Sequence, residues 1–295
     1  GPRPHRHRIR SGRLSGDHTM HTQNVLVGLD LNGVNAPAIL TRACQLIDAE
    51  QIEVVHVCDH LYPYHADFTA GTFANTEDLN DSIRIAADHR LDNICGRFGI
   101  NRHRVLEGDC VASLHEYAEE HADLLIIGTH GRPGIQTMLG SSSNAIVHGT
   151  PCDVLAVHVE DNETHLPNHY QRILVAVDLS DESLQVMDHA MGVAEAASAD
   201  VAICHIYSSR KEAERRAEHR QLAELGSMYE IDENLHYAMG GRLAHQIHAL
   251  AKRLYADLIV VGTHGRHGLE LAKGSVANAV LHGATCDALS VRLAA

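Results

Sequence analysis

The chain has 295 residues, 44% of them hydrophobic, and a formal net charge of −14 at pH 7. This length and apolar content predict about two globular domains with sizeable cores and exclude a largely disordered chain. The negative charge argues against nucleic acid as the main partner, and neither a run of ~18 apolar residues nor a signal peptide is visible, so we expect a cytoplasmic protein with no membrane partner.

The N-terminal segment, residues 1–21, is predicted to be a disordered tail or a cloning remnant. It is rich in arginine and shows no apolar periodicity. The seven cysteines are scattered along the rest of the chain without any CxxC pair. They therefore read as reduced core residues, not as a disulfide framework or a zinc site.

Short β-branched apolar runs alternate with helical patterns along the chain, which is typical of parallel strands joined by crossover helices. Strands are predicted near residues 24–30, 53–58, 103–106, 123–128 and 153–158. Helices are predicted near residues 34–49, 79–98, 111–121 and 137–148. After a polar linker, the second set of strands is predicted near residues 172–178, 200–206, 234–238, 257–262 and 287–292.

The two halves of the chain are copies of one unit. Residues 122–157 align without a gap with residues 256–291, and "GTHGRPGIQTMLGS" of the first copy matches "GTHGRHGLELAKGS" of the second. This tandem repeat predicts an α/β fold with domains at 22–158 and 171–295, a linker at 159–170, and in each domain an open parallel five-stranded sheet with helices on both faces. The last strands, "CDVLAV" and "CDALSV", are expected to pair with each other, which would pack the chain as a pseudo-twofold dimer and leave further self-association open.

Ligands of open parallel sheets bind beyond the carboxyl ends of the strands, where the winding direction switches. A Gly-rich turn follows the fourth strand of each copy, and its main-chain amides suit phosphate oxygens; the alternative is a tight corner between strand and helix. Asp30 and Asp178 follow the first strand of each copy. Their carboxylates suit a ribose hydroxyl or a magnesium ion, and the alternative is capping of the next helix.

These motifs resemble the universal stress protein family in its tandem form. The resemblance rests on "VLVGLD" and "ILVAVDLS", on the two "GTHGR" turns with their Gly-Ser pairs, and on the "HG" and "CD" segments that follow them. It implies Rossmann-like domains, similar to adenine nucleotide alpha hydrolases, that commonly bind ATP. It also implies a phosphate loop in each copy, formed by Gly128, Gly131, Gly140 and Ser141 and by Gly262, Gly265, Gly274 and Ser275.

The same resemblance implies that Asp30 and Asp178 take the ribose or metal position and that main-chain groups of Val57 and Ile206 face adenine. The chain departs from the ATP-binding pattern of the family in one respect, because eight residues instead of nine separate the second and third loop glycines in both copies.

The two copies also differ near the predicted site. His130 and His264 recur inside the loops, and we expect them to contact a ligand or to pack the loop. The second copy is predicted to be the better nucleotide site, because Lys273 precedes its Gly-Ser pair where the first copy has Leu139, and because Ser180 replaces an asparagine.

The expected function is a stress-response module that binds ATP, with Mg²⁺, and has no strong catalytic activity. No GxSxG, GxxxxGK[ST] or HExxH motif is present. His245 and His248 have a helical spacing compatible with a metal, but no cysteine or acidic partner accompanies them, so no metal ligands are predicted. Two other functions stay open: slow ATP hydrolysis, and an interaction or regulatory module that binds no nucleotide.

Overall fold

The computed structural model describes residues 24–31, 33, 35–58, 76–130, 145–147, 149–159, 169–207, 209–263 and 275–293. The strands of the first half are β1 (Val25–Gly28), β2 (Ile52–Cys58), β3 (Arg102–Glu107), β4 (Leu124–His130) and β5 (Asp153–Val159). Its helices are α1 (Ala36–Leu46), α2 (Thr76–Gly96) and α3 (Cys110–His121), and residues 145–147 are also helical. The N-terminal segment for which a tail was predicted lies outside the described residues.

The second half repeats this order. Its strands are β6 (Arg172–Ala176), β7 (Asp200–Ile206), β8 (His236–Met239), β9 (Leu258–Gly262) and β10 (Asp287–Val291). Its helices are α4 (Ser183–Ala197), α5 (Glu212–Met228), α6 (Leu243–Leu254) and α7 (Ser275–Leu281). Among the helices described, none is long and apolar enough to cross a lipid bilayer.

All ten strands form one sheet, in the order β3, β2, β1, β4, β5, β10, β9, β6, β7, β8. Neighbouring strands are parallel within each half, whereas β5 and β10 are antiparallel, with Leu155 opposite Leu289. The predicted fold class is therefore confirmed, including the pairing of the last strands. The pairing buries what would otherwise be two exposed sheet edges.

Helices pack against both faces of the sheet. Because successive side chains of a strand point to opposite faces, strands that are covered on both sides are apolar throughout. In β4, Leu124 and Ile126 pack in the core cluster that contains α1, whereas Leu125 and Ile127 pack in the cluster that contains α3. This arrangement explains why the fourth strand is apolar throughout instead of alternating with polar residues.

A buried ion pair joins the two halves on one side of the β5–β10 junction. Asp287, the first residue of β10, accepts hydrogen bonds from Arg42 Nε at 2.7 Å and from the Tyr170 hydroxyl at 2.8 Å through Oδ2, and from the main-chain N–H of His158 at 2.9 Å through Oδ1. The Arg42 guanidinium also lies 4.6 Å from the centre of the Tyr170 ring. Burial raises the pKa of the Asp287 carboxyl, while the Arg42 charge opposes that rise.

The other side of the junction has a related but different arrangement. Asp153, the first residue of β5, accepts a hydrogen bond from the main-chain N–H of Arg292 at 2.6 Å. Its second oxygen lies 3.3 Å from Nε2 of His189 in α4. Each half therefore offers a strand aspartate to the main chain of the other half, but the side-chain partner is an arginine on one side and a histidine on the other.

Candidate functional site

Those predicted site residues that the structure describes lie at the edge of the sheet where the chain changes its winding direction. In each half the chain moves outward from the central strand and then returns to that strand's other side, so the switch falls between β1 and β4 and between β6 and β9. Gly28 is paired with Ile127, and Ala176 is paired with Val261. The segments that follow these pairs, with Asp30 or Asp178 on one strand and the start of a Gly-rich turn on the other, therefore share one edge.

The Asp178 side chain organises the turn between β6 and α4. Its Oδ1 accepts hydrogen bonds from the Ser180 N–H at 3.0 Å, the Ser180 hydroxyl at 2.6 Å and the Ser183 hydroxyl at 3.1 Å. The residue at the N-cap position of α4 is Glu182, so Asp178 does not cap that helix. The carboxylate instead has a defined orientation at the edge of the sheet.

Asp30 has a more open setting in the first half. It is exposed, and its carbonyl oxygen accepts the Gly33 N–H at 3.1 Å. The N-cap residue of α1 is Asn35, so Asp30 does not cap the next helix either. Neither aspartate is thus the N-cap residue of the next helix, and Asp178 is less exposed than Asp30.

Val57 and Ile206 lie at the ends of β2 and β7, beside the central strand of each half. Val57 is opposite Leu106, and Ile206 is opposite Met239. The next residue in the second half, Tyr207, continues the pairing, because its N–H donates to the Met239 carbonyl at 2.8 Å. The main chain at these positions therefore reaches the same edge as the two aspartates.

Gly128 and Gly262 are required by packing between the sheet and the helices. A Cβ atom on Gly128 would lie 2.5 Å from Ile39 Cδ1, and one on Gly262 would lie 2.8 Å from Leu293 Cδ1. Neither glycine has a positive φ. The close approach at these two positions is made from within the protein, by α1 at Gly128 and by the C-terminal segment at Gly262.

Of the remaining residues predicted for the phosphate loops, the structure describes two. His130 ends β4 and Ser275 begins α7. The other predicted residues lie outside the described residues: Gly131, Gly140, Ser141, His264, Gly265 and Gly274.

Several histidines have structural partners that sequence reasoning did not assign. His115 Nε2 lies 2.6 Å from the Ile146 carbonyl oxygen, and His248 Nε2 lies 2.7 Å from that of Val280. These matching contacts tie the third helix of each half to the helical segment after the Gly-rich turn. Nε2 of His248 is therefore engaged with the main chain of α7, whereas His245 is exposed.

His56 and His205 were also not predicted as functional side chains, although each directly precedes a residue predicted to face adenine, Val57 or Ile206. Each ring contacts the carbonyl oxygen of the residue immediately before a predicted site aspartate, Leu29 in one half and Val177 in the other. The signal was the recurrence of histidine at one strand position in both copies.

Comparison with known proteins identifies both halves. The family model described as "Universal stress protein family" matches residues 21–158 and again residues 169–292. A universal stress protein A homolog of Coxiella burnetii is 37% identical over 142 residues, covering 42% of this chain and 96% of the homolog. A universal stress protein of Mycolicibacterium smegmatis is 25% identical over 294 residues, covering 91% of this chain and 96% of its own length.

The fold also matches solved structures over most of the chain. A universal stress protein from Archaeoglobus fulgidus aligns with 92% of this chain and 96% of its own, with a TM-score of 0.66 at 17% identity. A structure from Pseudomonas aeruginosa covers 92% of this chain with a TM-score of 0.65 at 19% identity. At these identities the likeness concerns the fold, and it extends over both halves.

Proposed function

Because the chain belongs to the universal stress protein family, with one match in each half, we propose that it binds an adenine nucleotide and acts as a stress-response module without strong catalysis. The nucleotide would lie at the switch point of each half-sheet, with the second domain as the better site. A cytoplasmic location, with no nucleic-acid or membrane partner, belongs to the same proposal and agrees with the acidic sequence.

The observation that carries the proposal is the setting of the Asp178 carboxylate. Three donors from Ser180 and Ser183 hold one of its oxygens at the edge of the sheet. A carboxylate with a defined direction suits the two vicinal hydroxyls of a ribose, because each hydroxyl can donate a hydrogen bond to it. Asp30 occupies the corresponding place in a more exposed setting than Asp178, which supports the ranking of the two domains.

The other parts of the nucleotide would be held by residues that this edge brings into reach. Main-chain groups of Val57 and Ile206 would face adenine, as in the resemblance described above. The Gly-rich turns after β4 and β9 would take the phosphates, with Mg²⁺ supplying countercharge there when it is bound. The described residues would orient and bind the nucleotide, and none of them is proposed as a nucleophile.

Nucleotide binding can be tested on the full chain with a matched pair of variants. Small molecules released by denaturing the purified protein would be identified by chromatography and mass spectrometry, and ATP binding would be measured by calorimetry in the presence of Mg²⁺. We expect Asp178→Ala to weaken ATP binding to the second domain by about tenfold or more, since it removes hydrogen bonds to a charged group. Asp181→Ala removes an equal charge from an exposed neighbouring position and should leave the affinity nearly unchanged.

Two results would contradict the proposal. A wild-type protein that releases no adenine nucleotide and gives no binding heat with ATP would instead favour an interaction module. Steady ATP turnover that Asp178→Ala abolishes would favour a hydrolase.

A further inference from the structure

One histidine in each half holds the peptide immediately before the predicted ribose-binding aspartate. His56 Nδ1 lies 2.8 Å from the Leu29 carbonyl oxygen, and His205 Nδ1 lies 3.0 Å from the Val177 carbonyl oxygen. A carbonyl oxygen only accepts hydrogen bonds, so Nδ1 must carry the proton in both rings. The same contact occurs in both copies although their local sequences differ, which indicates a common role.

The main chain at this point has just left the strand. β1 ends at Gly28 and β6 ends at Ala176. The N–H of the next residue still donates to the neighbouring strand, from Leu29 to the Val55 carbonyl and from Val177 to the Cys204 carbonyl, both at 2.9 Å. The histidine then engages the carbonyl of that same residue. The peptide that leads into each aspartate is thus held through its donor and through its acceptor.

In the second domain the ring is itself tightly positioned. His205 is 3% exposed, and its Nε2 lies 3.5 Å from Oε2 of Glu218, a buried residue of α5. The Tyr207 ring packs edge-on against the imidazole, with the ring centres 6.2 Å apart. In the first domain His56 is only half-buried. His205 therefore has less freedom than His56.

We propose that His205 is a positioning residue for the Asp178 carboxylate, and His56 for that of Asp30, and that their bonds to the preceding carbonyls set these carboxylates for the two ribose hydroxyls of a nucleotide. This inference rests on the proposed function and makes it specific. The histidines touch no nucleotide themselves. Their effect is selective for ligands that carry ribose hydroxyls, whereas a merely structural role would affect all nucleotides alike.

The test compares two amide substitutions in the full chain, in an Asp30→Ala background that leaves only the second domain sensitive to ribose hydroxyls. In His205→Asn the amide nitrogen lies near the position of Nδ1 and can donate to the Val177 carbonyl. In His205→Gln the longer side chain places its nitrogen near Nε2, away from that carbonyl. Both variants keep a polar group in the buried site, so they form a matched pair.

The measurement is the ratio of the dissociation constants for 2′,3′-dideoxy-ATP and ATP. We expect the background protein to prefer ATP by about tenfold or more, because dideoxy-ATP lacks both hydroxyl donors. His205→Asn should keep most of this preference. His205→Gln should reduce it to near that of Asp178→Ala, while affinity for dideoxy-ATP changes little.

A His205→Gln variant that keeps the full preference, or a His205→Asn variant that loses as much as the Gln variant, would overturn the inference while leaving nucleotide binding intact. A background protein that binds neither nucleotide would overturn the proposed function together with this inference. If the buried variants do not fold, His56→Asn and His56→Gln in an Asp178→Ala background provide the same comparison at the half-buried position, with the same expected and contradicting ratios.

Discussion

Removal of one partner from the buried pair at the junction of the two halves should cost more stability than removal of one partner from a surface ion pair. The side chains of Arg42 and Asp287 are 2% and 3% exposed, and Nε lies 2.7 Å from Oδ2. Arg42→Met keeps an apolar stem of similar length but removes the charge that faces the carboxylate. The Tyr170 hydroxyl and the His158 N–H would remain as neutral donors to a buried anion.

In other proteins, removing one partner of a buried ion pair lowers the free energy of unfolding by about 3–5 kcal/mol. For Arg42→Met we expect a loss of about 3 kcal/mol, at the low end of this range, because two hydrogen-bond donors to the carboxylate remain. The matched control is Arg216→Met, which removes an arginine that pairs with Glu212 on the surface, where the two side chains are 75% and 79% exposed. This control should cost less than about 0.5 kcal/mol.

The assay is urea unfolding at pH 7, followed by far-ultraviolet circular dichroism and by tyrosine fluorescence, since the chain has no tryptophan. Coincident curves from the two probes would justify a two-state analysis. The double variant Arg42→Met/Asp287→Asn should recover part of the loss, because it removes the uncompensated charge.

The pH dependence of Arg42→Met has a defined sign. Burial already raises the pKa of Asp287, and loss of the guanidinium raises it further, so the folded-state value lies above the unfolded one. The stability deficit of the variant should therefore shrink as the pH falls through the folded-state pKa. A loss no larger than that of the Arg216→Met control would refute the reasoning.

Two further predictions concern packing and acid stability. Gly128→Ala should cost about 1–3 kcal/mol of unfolding free energy, and Ile39→Val should relieve part of this cost in a double-mutant cycle, because valine lacks the Cδ1 atom that a new Cβ would meet. Burial raises the pKa of Glu53, but hydrogen bonds from Tyr117 and Arg102 outweigh burial and lower it overall. The stability difference between wild type and Glu53→Gln should therefore be largest near neutral pH and diminish below the unfolded pKa of about 4.3, as measured by urea unfolding at several pH values; a pH-independent difference would contradict this.

The sequence was sufficient for the architecture because the relevant signals are local and repeated. Apolar runs such as the one in β4 indicate a strand that is covered on both faces, and the duplicated motifs indicate two copies of one unit. Helix ends were less well placed. The first helix was predicted near residues 34–49, whereas α1 spans Ala36–Leu46, since Ile47 already has an extended conformation. Such ends depend on a few main-chain angles that periodicity does not record.

For the candidate site, the sequence predicted that Asp30 and Asp178 reach one edge of the sheet, but not the partners of each residue. Asp30 and Asp178 follow first strands, and parallel strands joined by crossover helices always bring their carboxyl ends to one edge. The hydrogen bonds from Ser180 and Ser183 to the Asp178 carboxylate could not be predicted from spacing, because a serine near an aspartate is equally compatible with a helix cap. The packing of Gly128 against Ile39 likewise could not be predicted from spacing, because Ile39 lies far away in sequence.

The sequence by itself thus determined the fold class, the duplication and the pairing of the last strands. Only the tertiary structure decided that Arg42 and Asp287, separated by 245 positions, form a buried pair, and that His205 holds the peptide before Asp178. The physical reason is that hydrogen bonding and desolvation of a polar group depend on whichever residues folding brings beside it. A strand or helix can be predicted from the periodicity of its own segment, whereas a buried polar contact can be predicted only when both of its partners are known.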